Sequence, residues 1–231
     1  INAINKPNKP KLVIMAHTDH PGIIIKNNKK GIAVGTLEID RLRKILTSGF
    51  IKLKIFDPAG KYLGIGNLTG INKNNRDVSL QMNFKIAPNS FGQYYIDYFK
   101  TDKTSVSAYS LDDSISVAIM LTLLENKYKS NYDIYFVFNF YEEVHQISAW
   151  YLAKNNILNL NKSDILINLE SLKVHNIDPQ KYPASNYNDG PILQLSNTGC
   201  LFGYGIKGNN EAEKLVKHIA KKANIKLQIG L

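Results

Sequence analysis

Leu12-Val13-Ile14-Met15-Ala16, followed at once by His17-Thr18-Asp19-His20-Pro21-Gly22, is the stretch on which the fold turns. Five apolar residues with no polar interruption predict a strand covered on both faces, as in the middle of a parallel sheet. Two later runs share that character, Asp133 to Asn139 (DIYFVFN) and Asp164 to Leu169 (DILINL). Between and after them the apolar period changes to that of a helix. Ser114 to Glu125 carries Ile115, Ala118, Ile119, Leu121 and Leu124 at helical spacing, and Gln146 to Asn155 and Glu211 to Ala223 read as further helices. Strands alternating with helices predict an α/β fold, a mostly parallel or mixed sheet flanked by helices.

Working outward, the residues from about Lys26 to Ser105 follow a different rule. Phe50 to Phe56 (FIKLKIF), Tyr62 to Leu68 and Val78 to Ile86 (VSLQMNFKI) alternate apolar with polar, and Asp57-Pro58-Ala59-Gly60 is a turn between two of them. The expectation is a discontinuous domain of residues 1–25 and 106–231, incomplete at its C-terminus, with residues 26–105 inserted as a small β-barrel-like domain.

Composition narrows the function classes. The 231 residues are 44% hydrophobic, enough for a sizeable core. No run of about 18 apolar residues predicts a membrane span, and no signal-peptide pattern opens the chain. A single cysteine, Cys200, has no internal partner for a disulfide, which points to a reducing, cytoplasmic setting. The net charge is +10, from 29 Lys and Arg against 19 Asp and Glu, and it raises nucleic acid as a partner. Only Arg41, Arg43 and Arg76 offer the bidentate fork that phosphate readers favour, and the lysines are scattered among asparagines. Neither nucleic acid nor membrane is therefore expected as a partner.

In an open α/β sheet, ligands bind beyond the carboxyl ends of the strands. Polar groups just after buried runs are the ones that matter. His17 and Asp19 end the first run, and in an extended chain both project to one side. Asp112-Asp113 precede an apolar helix, where an N-cap accounts for one carboxylate and leaves the other over. Glu142-Glu143 follow DIYFVFN closely, and Glu170 follows DILINL directly. An imidazole and carboxylates are the donors that hard or borderline divalent cations take. One glutamate of a pair beside such ions is also placed to act as a general base.

The order of these motifs resembles the tetrahedral and glutamyl aminopeptidases of metallopeptidase family 42, a branch of the two-metal zinc exopeptidases. The resemblance runs through A-H-T-D-H-P-G, S-L-D-D-S, F-N-F-Y-E-E-V, I-N-L-E and G-P-I-L-Q-L, nearly the whole chain. A gap of 95 positions between His17 and Asp112 resembles the family's inserted β domain. The resemblance implies a peptide-hydrolysing aminopeptidase with two divalent metal ions per subunit, zinc first, with cobalt or manganese as alternatives. It implies that His17 binds one metal, Asp112 bridges both, Glu143 and Glu170 complete opposite sides, Glu142 is the base and Asp19 orients His17. It also implies a homo-oligomer, up to a dodecamer.

Some positions depart from the family pattern. Glu170 stands where the family has aspartate and Ser114 where it has arginine, and glycines are missing near Ser116, His145 and Ser148. The family's second histidine ligand follows a Gly-Thr-Asp-Ala-like segment that does not occur before Ile229-Gly230-Leu231, and neither His175 nor His218 replaces it. The sequence is expected to lack pieces at both ends. The altered glycines motivate a second reading, a family homologue acting as an oligomeric scaffold or peptide binder, and a third is a different hydrolase on the same scaffold, such as a deacylase or carboxypeptidase.

Overall fold

The computed structural model describes residues 9–35, 39–96, 98–103, 105–126, 129–171, 190–194, 196–197, 206–207 and 210–230. Cys200 and His175 lie outside these residues. In chain order the elements are β1 (Lys11–His17), β2 (Gly22–Asn27), β3 (Lys30–Val34), α1 (Ile39–Leu46), β4 (Ile51–Phe56), β5 (Tyr62–Ile71), β6 (Asp77–Gln81) and β7 (Phe91–Tyr94). There follow β8 (Phe99–Thr101), β9 (Val106–Ala108), α2 (Leu111–Glu125), β10 (Asp133–Asn139), α3 (Ile147–Lys154) and β11 (Ile165–Asn168). The last are β12 (Ile192–Gln194), β13 (Ser196–Asn197), β14 (Ile206–Lys207), α4 (Asn210–Lys222) and β15 (Gln228–Gly230). The chain divides into two compact units, Ile1–Ser171 and Leu172–Leu231.

In the first unit β1 is the middle strand of a parallel sheet in the order β10-β1-β11. Its register sets His17 opposite Asn139 on β10 and Met15 opposite Asn168 on β11, so the three strands deliver their carboxyl ends side by side. Val13, Ile14, Met15 and Ala16 are all buried, as the uninterrupted apolar run predicts. Ile14 and Ala16 pack with Met120 of α2, against Leu12, Val117, Leu123, Ile134 and Phe136. At the other end of the sheet Asp164 holds β1 and β11 in step. One of its oxygens accepts from the Lys11 N–H at 2.7 Å and the other from the Asn161 N–H at 2.8 Å. Partial burial works against the charge on that carboxyl, but the two amides and the Lys11 ammonium outweigh it and keep its pKa below the usual carboxylate value.

β2, β3, β6, β5, β4 and β7 close into an antiparallel barrel. The period-2 alternation sends Ile23, Ile25, Ala33, Leu53, Ile55, Leu68, Val78, Leu80 and Tyr94 inward as one core. The first barrel strand spans residues 25 and 26, so the chain enters the barrel four residues before Lys26, at Gly22. Two details differ from the sequence reading. The strand expected over Val78 to Ile86 stops at Gln81, because Met82 and Phe84 turn onto β5 instead of continuing the ladder. A Cβ at Gly66 would lie 2.7 Å from Met82 and one at Gly64 3.0 Å from Phe84, so bare glycine backbone makes room for both side chains. The other difference is α1, which the alternating pattern around it concealed; Leu42 and Leu46 pack it on the barrel core.

Leu53 is fully buried in that core. Leu53→Ala is expected to cost about 2–5 kcal/mol through lost transfer energy and an unfilled cavity. Urea unfolding should show a lower midpoint at an unchanged slope.

The second unit pairs β12 with β15 in parallel and β13 with β14 antiparallel. Its α4 carries His218 on an exposed position. No described helix is long and apolar enough to cross a membrane.

Candidate metal centre

At the carboxyl end of β1 the chain turns outward, and four consecutive residues tie the neighbouring segments together. The main-chain N–H and the hydroxyl of Thr18 both donate to the carbonyl of Asn139, at 2.9 and 3.0 Å, fixing the end of β10. Asp19 then accepts from the two residues that matter beyond β10. Its Oδ1 takes the Glu142 N–H at 3.1 Å and its Oδ2 the Glu143 N–H at 3.2 Å. The carboxylate of Asp19 therefore sets the backbone of the glutamate pair. The His17 ring is steered by the same residue through a different atom: Nδ1 donates to the main-chain oxygen of Asp19 at 3.0 Å, with the Asp19 carboxylate at 3.7 Å.

That hydrogen bond fixes the tautomer of His17 and turns Nε2 toward acids. Asp112 Oδ1 lies 3.1 Å away, Glu170 Oε1 3.6 Å and Glu142 Oε2 4.0 Å. His17 is 2% exposed, so burial works against its charged form, but the hydrogen bonds to Asp112 and Glu170 and the charges of Glu170 and Glu142 push its pKa up to about 11. In return the His17 hydrogen bond holds the Asp112 carboxyl below its usual range, against the effect of burial. Burial raises Glu142, with the His17 charge opposing.

Asp112 and Asp113 open α2 in non-helical conformations, joined by a cis peptide bond, and the regular helix follows them. Their side chains part company. Asp112 is 56% exposed and faces the histidine. Asp113 is fully buried, with hydrogen bonding from Ser116, and the Ser171 hydroxyl lies 3.4 Å from its Oδ1; burial pushes its pKa up to about 6. Its Oδ2 has no hydrogen-bond partner among the described residues. Of the two, only Asp112 is available to an ion.

His17, Asp112 and Glu170 each present one donor atom within 4.8 Å of the other two. One imidazole nitrogen and two carboxylate oxygens converging at that range match the donor chemistry of a divalent transition ion. Like charges held so close call for a cation between them, and His17 Nε2 can offer either a proton or a lone pair. Among the described residues this is the one such group. Glu143 is outside it. Its main chain is held by Asp19, and its Cβ lies 3.3 Å from where a side chain on Gly35 would begin, at a backbone position with φ +89° that suits glycine.

His145 sits at φ +72°, with Gln146 at +56° and Tyr141 at +62°, so the loop after β10 makes its turns through left-handed residues that carry side chains. Ser148 uses its hydroxyl to accept the Phe140 N–H at 3.2 Å, and Ser116 is buried against Asp113. His20 carried no role in the sequence reading, yet its Nδ1 donates to the main-chain oxygen of Asp112 at 3.0 Å. The available signal was its place in the same short turn, three residues after His17 and with Asp19 between them.

A family profile described as M42 glutamyl aminopeptidase matches residues 71–231. None of the curated proteins compared with the chain matches it. Among solved structures, an aminopeptidase, APDkam598, from the archaeon Desulfurococcus kamchatkensis superposes with a TM-score of 0.71 at 16% identity, over 98% of this chain and 65% of its own. A second, PhTET1-12s, described as a dodecamer in the asymmetric unit, gives 0.70 at 17% identity, over 96% of this chain and 68% of its own. The TET1 peptidase of Pyrococcus horikoshii, described as assembling into a tetrahedron or a large octahedral shell, gives 0.65 at 16% identity, over 97% and 69%. The present chain thus spans about two thirds of the length of the structures it matches. At these identities the likeness carries the fold.

Proposed function

Because the chain belongs to the M42 glutamyl aminopeptidase family, we propose that it is the greater part of a metal-dependent aminopeptidase that removes N-terminal residues from peptides. The observation that carries this is the convergence of His17 Nε2 with Asp112 at 3.1 Å and Glu170 at 3.6 Å, from chain positions far apart. In this reading His17, Asp112 and Glu170 would hold one divalent ion and Asp112 and Glu143 would supply ligands for a second, zinc first, with cobalt or manganese as alternatives. Bound ions supply Lewis acidity, lowering the pKa of a water and polarising the peptide carbonyl.

The protein's own groups do the rest. Glu142 receives the proton of the attacking water on its carboxylate and returns it to the leaving amine. Asp19 keeps Glu142 and Glu143 in place through their main-chain N–H groups. The free α-amine of a peptide would be held near a metal and the carboxylates beside it. The assignment of residues 1–25 and 106–231 to the catalytic domain and of 26–105 to an inserted barrel belongs to the same proposal. So does assembly into a homo-oligomer, up to a dodecamer, in the cytoplasm; the assemblies described for the similar structures support it.

The test is metal removal on the full-length protein. Aminoacyl-anilides should be hydrolysed at a rate that a chelator abolishes and added zinc, cobalt or manganese restores, while amino-blocked analogues stay intact. Cleavage of blocked substrates instead would make it a deacylase or carboxypeptidase. Metal uptake with no turnover on either would leave a scaffold or peptide binder.

A further inference from the structure

The turn that follows β1 grips Asp112 at two points. His17 Nε2 reaches its side chain at 3.1 Å, and His20 Nδ1 reaches its main-chain oxygen at 3.0 Å. A carbonyl oxygen only accepts, so the proton of His20 is on Nδ1. His17 is arranged in the same way, with its own Nδ1–H given to the oxygen of Asp19. The two contacts differ in what they fix. The first meets a carboxylate that is free to rotate, whereas the second sets the backbone from which that carboxylate springs.

The backbone at Asp112, with φ of −87° and ψ of 104°, departs from helical values within α2. Its side chain is 56% exposed, so close packing contributes little to its placement. A carboxylate that is to hold an ion must stand within a few tenths of an ångström of one place, and such precision comes from hydrogen bonds behind the ligand.

We propose that His20 is a positioning residue for Asp112, which would be a metal ligand, acting through its Nδ1–H bond to the Asp112 carbonyl. With it, the His17-Thr18-Asp19-His20 turn sets every other part of the centre except Glu170: Thr18 holds the end of β10, Asp19 the glutamate pair, and His17 and His20 the aspartate. This inference rests on the metal reading proposed above.

The experiment compares the full-length wild-type protein with His20→Leu, which removes the donor, and His20→Asn, whose side-chain N–H stands about where Nδ1 stood. Each is stripped of metal and titrated with cobalt(II), following the visible absorption of the bound ion, and the thermal unfolding of the metal-free proteins is recorded beside it. His20→Leu is expected to weaken cobalt binding by about 10- to 100-fold and to shift the absorption bands, with His20→Asn staying within roughly threefold of wild type. A purely structural role would lower the unfolding temperature and leave affinity and spectrum alone. The inference is overturned if His20→Leu titrates and absorbs as wild type does, or if the asparagine variant falls as far as the leucine one. Should the leucine variant not fold, His20→Gln replaces it, because its longer side chain carries the donor past the carbonyl. No cobalt uptake by the wild-type protein would sink the metal reading itself and this inference with it, whereas normal uptake unchanged in the variants sinks the inference alone.

Discussion

Glu142→Gln should leave a protein that takes up metal as before and turns over peptide about 100- to 10,000-fold more slowly, the range that a positioned general base contributes. Glutamine keeps the size and shape of the side chain and removes its capacity to hold a proton. The change leaves the structural supports intact, because Glu142 is tied to Asp19 through its main-chain N–H and not through its carboxylate. The carboxylate stands 4.0 Å from His17 Nε2, whereas Asp112 and Glu170 stand closer, at 3.1 and 3.6 Å. It is thus the acid of the cluster best placed to serve the reacting water without being taken up as a ligand. Steady-state turnover on an aminoacyl-anilide, alongside metal content by elemental analysis, separates the two roles. Loss of metal in step with activity would make Glu142 a ligand, and unchanged activity would remove the base from the proposal.

The sequence revealed the strands of this site more clearly than the contacts made at their ends. Leu12 to Ala16 reads as a doubly covered strand because burial on both faces demands an unbroken apolar run, and β1 forms there with Val13 to Ala16 buried. DIYFVFN coincides with β10, and DILINL exceeds β11 by one residue at each end. Barrel strands β4 and β5 were equally legible from their alternation. β2 and β3 were not, since lysines, asparagines and glycines interrupt the apolar pattern over Gly22 to Val34. Met82, Phe84 and Ile86 misled because apolar alternation marks residues that seek a core, and it does not say whether they reach it from a ladder or from a coil. At the site, the spacing of acids after strands pointed to His17, Asp112, Glu142, Glu143 and Glu170, and the structure converges the donor atoms of His17, Asp112 and Glu170 but not of Glu143. Which atom does what was beyond it. That Asp19 steers His17 with a carbonyl and the glutamate pair with a carboxylate depends on the path of the turn, and a one-dimensional pattern carries no record of that path.

His17→Gln is expected to have the other large effect, and on two quantities at once. Loss of a nitrogen that converges with two carboxylates should weaken binding of the first ion by at least about 100-fold, more than the loss of a supporting residue behind a ligand. In the metal-free protein the same nitrogen does different work. It carries a proton among Asp112, Glu170 and Glu142, which pushes its pKa up to about 11 from an unfolded value near 6.5. A group whose pKa is raised by folding lends its stability in full below the unfolded pKa and gives it up as pH climbs through the folded one. Metal-free wild type should therefore lose stability steadily above about pH 6.5, and the slope should vanish in His17→Gln, which has no proton to lose there. Saturating metal should flatten the wild-type slope as well, because the ion replaces the proton at Nε2 and keeps the carboxylates neutralised at any pH in the range. Chemical unfolding from pH 6 to pH 9, with and without metal, reads all three slopes. A wild-type protein whose metal-free stability does not fall across that interval would mean that the imidazole and the acids do not share a charge, and the argument that a cation belongs among them would lose its electrostatic basis.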